Sequence, residues 1–195
     1  MRDQHPLRDT AVLPPAYREH RTVDLKKDRR FAVAVQALFA VVALVAIAAA
    51  LLLDLPLASG WSPVVTIPVT LLACLVYMAV HELTHGVVLQ LLTKMQPSYT
   101  VRFPFLTTGN GAYLTRRSAV LVGLAPGVIW GVALLIALLT LPADYRLTVY
   151  ILLALNLAGS SGDWVEVNVI ARQQHDALVQ DDGDKIRVFV PQNPS

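Results

Sequence analysis

The stretch PVVTIPVTLLACLVYMAVHELTHGVVLQLL, residues 63–92, decides how the rest of the chain is read. It is apolar almost throughout and longer than the ~20 helical residues that cross a bilayer. Yet it carries His81-Glu82-Leu83-Thr84-His85. In a helix, residues four apart lie about 40° apart on one face, one turn above the other, so both imidazoles reach a single metal ion. Glu82, beside the first of them, reaches a water that the metal activates without binding the metal itself. Zinc lowers the pKa of such a water to about 7, and the carboxylate accepts its proton. A charged side chain near the centre of a membrane helix costs on the order of a few kcal/mol. Three ionisable groups in one span therefore point to function; the structural alternative is hydrogen bonding to neighbouring helices.

Composition supports the reading of this stretch as a span. Of 195 residues, 55% are hydrophobic and 15% charged, with a mean hydropathy of +0.53, whereas soluble domains carry about 25% charged residues. The chain reads as an integral membrane protein whose surroundings are the lipid bilayer. A net charge of +2, with no basic cluster interleaved with aromatics, gives no sign of a nucleic-acid partner. Cys74, the single cysteine, excludes an intramolecular disulfide and a cysteine-based metal site, and reads as a small buried hydrophobe. Polar sequence precedes the first apolar run and no small-residue cleavage site follows it, so that run is expected to be a retained span and not a signal peptide.

Three other runs are long enough to span: residues 31–53, with Gln36 its one polar residue; residues 119–141; and residues 147–171, which contain Asn156, Asp163 and Glu166. The expected fold is all-α and integral to the membrane, with four transmembrane helices and a short β-hairpin-like loop on the cytoplasmic side. It divides into a polar cytoplasmic segment (1–30), a four-helix membrane domain that carries the candidate metal motif (31–171) and a cytoplasmic tail (172–195). The orientation follows from Arg2, Arg8, Arg18, Arg21, Lys26, Lys27, Arg29 and Arg30 before the first span and Lys94, Arg102, Arg116 and Arg117 between spans two and three, against Arg146 alone in the other loops. By the positive-inside rule both termini and the central loop are cytoplasmic, in a multi-pass protein of the cell membrane.

Within the central loop, residues 99–103 have β character, Gly109-Asn110-Gly111 signals a turn, and residues 112–115 suit a return strand. Residues 100–103 are expected to hold an extended substrate by main-chain pairing, with Pro104 ending that edge. In the tail, residues 185–190 read as a strand. The acidic Asp181-Asp182-Gly183-Asp184 lacks the ligand spacing of a calcium loop and reads as a solvated turn.

Two histidines leave the site one ligand short of the usual catalytic three. His5, His20 and His175 lie outside the spans. Asp163 sits at a depth matching His81 and His85 to within about two turns, and Gly159, Ser160, Ser161 and Gly162 before it let a neighbouring helix come close. Asp163 is the expected third ligand. Glu166, one turn on, is its rival, or otherwise a partner of a ligand histidine. Asn156 is a candidate donor to a developing oxyanion; an interhelical hydrogen bond is the alternative.

His-Glu-Leu-Thr-His-Gly in one span, Leu-Ala-Pro in the next and Asn-Leu-Ala-Gly-Ser-Ser-Gly-Asp in the last resemble a family of small prokaryotic membrane proteins classed as zincin peptidases, itself more distantly similar to the site-two proteases. The resemblance covers about residues 61–171. It implies one zinc per chain, peptide hydrolysis, and His81, Glu82, His85 and Asp163 as the site. Site-two proteases usually set their aspartate in Asn-Pro-Asp-Gly, whereas Asp163 in this chain follows Ser-Ser-Gly.

Ligands and resemblance together predict a zinc metalloendopeptidase acting on a membrane protein or peptide near the cytoplasmic face, and leave the oligomeric state open. The alternative is a non-proteolytic zinc-binding adaptor or assembly protein, to which a carboxylate at Glu82 is of no use. A transporter subunit fits less well, because the ionisable groups converge at one depth instead of lining a path.

Overall fold

The computed structural model describes residues 8–24, 27–102, 105–109, 111–182 and 185–192. His5, Phe103, Pro104, Asn110, Gly183 and Asp184 lie outside the described residues.

The chain opens with strand β1 (Tyr17–Asp24) and enters helix α1 (Arg29–Leu52). The carboxylate of Asp28 accepts from the N–H groups of Arg30 and Phe31, satisfying two of the donors that a helix start leaves free. Helix α2 (Pro63–Thr93) starts on a proline at its first position, where no N–H is needed, and stops at Lys94 in the left-handed region, φ 61°. Strands β2 (Ser98–Arg102) and β3 (Phe105–Gly109) form a two-stranded hairpin, and the short strand β4 (Leu114–Thr115) leads into helix α3 (Arg116–Thr140). Thr115 caps α3 by accepting from the Ser118 N–H. Asp9 ties the N-terminal segment to the same point, accepting from the Thr115 N–H and the Ser118 hydroxyl. Helices α4 (Ala143–Gly159) and α5 (Ser161–Ala171) follow, then strands β5 (Leu178–Asp181) and β6 (Lys185–Pro191).

Helices α1, α2 and α3 are each long and apolar enough to cross a membrane. Their large side chains are widely exposed, among them Leu44, Val64, Leu72 and Ile136. A patch of that extent on a protein surface calls for an apolar partner, which suits helices able to cross a membrane. The expected fourth span over residues 147–171 is instead two helices, 17 and 11 residues long, meeting at Ser160. The small residues 159–162, which suit close approach of a neighbouring helix, are also where the helix breaks.

The helical part agrees with expectation, but an all-α fold does not. Strands β1, β6, β5 and β4 form a four-stranded antiparallel sheet in that order, which draws on both ends of the chain and on the segment between α2 and α3. Along β6, Ile186, Val188 and Val190 are buried on the inner face and Lys185 and Arg187 are half-buried on the other, where Phe189 is buried against Tyr113. The inner-face residues pack with Val23, Ala177 and Val179 against Leu89 of α2, Ala119 of α3 and Ile170 of α5, so the best-buried core of the molecule lies at the helix ends. The hairpin also differs from expectation. Its return strand is β3, with Arg102 opposite Phe105, so the chain reverses before the Gly109-Asn110-Gly111 signal. Residues 114 and 115 pair with β5 instead.

Candidate metal centre

In α2 the side chains of His81 and His85 fall on one face, their ring centroids 5.2 Å apart. Asp163 comes to them from the first turn of α5, where a helix N-terminus favours a carboxylate. The interruption at Ser160 is therefore what makes Asp163 a helix-start residue. A stripe of glycines on α3 brings α4 and α5 close enough. A Cβ on Gly123 would lie 2.6 Å from Val167, and one on Gly131 would lie 3.1 Å from the Asn156 amide nitrogen.

His81 Nε2 lies 3.2 Å from Asp163 Oδ2, and His85 Nε2 lies 3.5 Å from Asp163 Oδ1. Ligands ~2.0–2.2 Å from a tetrahedral zinc are about 3.3–3.5 Å apart. The spacing fits a shared metal ion, and two imidazoles with one carboxylate are a donor set suited to zinc. Among the described residues, His81, His85 and Asp163 are the metal-ligating group that converges. Glu166 does not join it; it stands within electrostatic reach of Asp163, Glu82 and Asp181.

The far nitrogen of each imidazole is also held. His85 Nδ1 lies 2.9 Å from the Val122 carbonyl oxygen. A carbonyl only accepts, so Nδ1 carries the proton, and Nε2 is the nitrogen left to face a metal. His81 Nδ1 lies 3.2 Å from the Tyr77 hydroxyl, which in turn donates to the Asn156 side-chain oxygen. The Asn156 amide donates to the Gly127 carbonyl at 2.9 Å. Asn156 is fully buried, with its donor and its acceptor both engaged behind His81. Partners of this kind fix the tautomer and orientation of a metal-binding imidazole.

Glu82 shares with His81 and Asp163 a cavity of about 320 Å³, walled also by Phe39, Tyr77 and Leu155. A larger apolar cleft of about 450 Å³ between α1 and α4 shares Phe39 and Leu155 with it. The hairpin packs on α2 through β3. The Thr108 hydroxyl donates to the Glu82 carbonyl at 2.9 Å. Trp130 Nε1, on α3, donates to the Thr84 hydroxyl at 2.9 Å, pinning the middle of the motif. Tyr99 fills the space beside Gly86, where a Cβ would lie 2.0 Å from its hydroxyl. Gly86→Ala is expected to push the hairpin off α2 at about 1–3 kcal/mol, the usual cost of overpacking. The check is faster amide exchange across β2 and β3 with metal content unchanged.

Tyr77, Val122, Thr108 and Trp130 were not candidates from sequence. A backbone acceptor has no residue signature, and an aromatic in an apolar span reads as packing.

A family model described as "Putative zincin peptidase" matches residues 74–178. No curated protein and no solved structure matches the chain.

Proposed function

The chain belongs to this zincin peptidase family, and from that premise we propose that it is a membrane-embedded zinc metallopeptidase, hydrolysing peptide bonds of membrane or membrane-proximal substrates near the cytoplasmic face. The observation that carries the reading is the convergence of His81, His85 and Asp163, two of which, His81 and Asp163, line one cavity with Glu82. Zinc held by those three side chains would supply the Lewis acid that polarises the scissile carbonyl and lowers the pKa of water to about 7. Glu82 takes a proton from the water that attacks the carbonyl carbon. As the C–N bond breaks, it passes that proton to the departing amine. Tyr77 and Asn156 orient His81, and for Asn156 this role replaces donation to an oxyanion.

The sheet supports a reading with four crossings and both termini on one side of the bilayer, and the basic residues flanking the spans favour the cytoplasmic side. β1 precedes α1, β4 lies between α2 and α3, and β5 follows α5, yet all three belong to one sheet and must stand on one side of the bilayer. From β4, α3 carries the chain away, so α4 and α5 together must bring it back. His81 stands about 27 Å along α2 from Pro63, close to the far edge of a ~30 Å hydrocarbon core. The apolar cleft between α1 and α4 offers an apolar substrate segment a way in from the lipid. The hairpin, with Thr108 bonded to the Glu82 carbonyl, offers a strand edge that would hold the scissile bond extended.

The test is to purify the protein into lipid nanodiscs, measure its zinc, and follow cleavage of an apolar peptide with a polar cytoplasmic flank. About one zinc per chain and defined cleavage products are expected. Zinc below ~0.2 equivalents in a folded, unchelated sample, or full zinc with no hydrolysis of any peptide in a broad panel, overturns the reading.

A further inference from the structure

Pro126 lies inside α3 and is fully buried. In a regular helix the carbonyl of residue 122 accepts from the N–H of residue 126. Proline has no N–H, and its ring crowds the carbonyl four residues earlier, turning it out of line. The Val122 carbonyl is that group, and it is the oxygen that meets His85 Nδ1 at 2.9 Å.

We propose that Pro126 is a positioning residue of the metal centre: by withholding a main-chain N–H, it leaves the Val122 carbonyl free to hold His85 in the tautomer that binds metal through Nε2. The proposal rests on the zinc site of His81, His85 and Asp163. With an ordinary residue at 126, the Val122 oxygen would be drawn back into the ladder of α3, and the imidazole would compete for it. With proline, the oxygen would otherwise be an acceptor without its helical partner in an apolar span, where water does not replace the missing donor. The His85 N–H and the bared carbonyl therefore each supply what the other lacks. Pro126 also lies one residue before Gly127, whose carbonyl accepts from Asn156. Neighbouring turns of α3, at Val122 and Gly127, thus anchor His85 directly and His81 through Asn156 and Tyr77.

Pro126→Ala returns the N–H and removes the ring, so a second variant separates the two effects. Pro126→lactate, the α-hydroxy analogue of alanine, replaces the amide with an ester and has neither ring nor N–H. Zinc affinity is measured on the full-length protein in nanodiscs, by competition with a chelator. Pro126→Ala is expected to weaken binding about 10- to 100-fold, as loss of a ligand's supporting hydrogen bond does, and Pro126→lactate to restore it to within about threefold. Equal affinity in Pro126→Ala and the parent overturns the proposal. So does equal weakening in both variants, which would assign the effect to the ring. A readout independent of metal is the ¹⁵N spectrum of His85 in the zinc-free parent protein. The Nδ1–H tautomer is expected, and the Nε2–H tautomer overturns the proposal even if Pro126→Ala fails to fold. A parent protein that binds no zinc would count against the metal centre itself, leaving the tautomer to decide on Pro126.

Discussion

Glu82→Gln is expected to keep its zinc and to lose at least about a hundredfold in turnover, the usual effect of removing a general base. The amide has nearly the shape of the carboxylate. Glu82 is not among the three converging donors, and the bond from Thr108 goes to its main-chain carbonyl. The exchange should thus leave both ligands and hairpin in place. What it removes is the capacity to take a proton from water and hand it to the leaving amine. The check is single-turnover cleavage of a membrane peptide alongside metal analysis of the same preparation. Full turnover in a zinc-loaded Glu82→Gln protein would remove Glu82 from the mechanism. Equal zinc and no activity in either protein would instead favour the adaptor reading.

The second large effect separates two carboxylates one helical turn apart. Asp163→Ala is expected to strip most of the zinc, because two histidines alone leave the site short of its three protein ligands. Glu166→Ala should weaken binding less, by about 10- to 100-fold at most, because its carboxyl lies outside the converging group. The reverse ranking would transfer the ligand role to Glu166. In the parent protein, affinity should fall as the solution is acidified, since both imidazoles must be neutral to bind metal. A chelator titration repeated across pH measures this.

The residues of the centre were more legible in the sequence than its scaffold. His81, Glu82 and His85 stand out because ionisable groups are costly in an apolar span, and Asp163 because small residues precede it at a matching depth. β6 was legible from the alternation of residues 185–190. β1 was not. Its sequence, YREHRTVD, exposes most of its side chains and buries only Val23, so it carries almost no hydrophobic period; pairing with β6 makes it a strand. The hairpin was placed too late because the Gly-Asn-Gly signal outweighed the earlier reversal between Arg102 and Phe105. The break between α4 and α5 was hidden because glycine and serine serve equally for tight packing and for interruption. The hold on His85 was hidden because its partner is a carbonyl whose availability is written four residues away, in Pro126.

The pairing of β1 with β6 sets a timetable for biosynthesis. Tyr17 is partnered with Pro191, 191 − 17 = 174 positions later in translation. At ~5–20 residues per second, that separates the two strands by roughly 9–35 s. All the helices are made in the interval, so β1 waits with its pairing groups bare until β6 follows. An unpaired strand is a template for the wrong partner, and charge or a bulge blunts it. β1 carries Arg18, Glu19 and Arg21, and its register slips between Glu19 and Arg21. The polarity that hid this strand from the reading of the sequence also suits it to remain soluble until its partner is made.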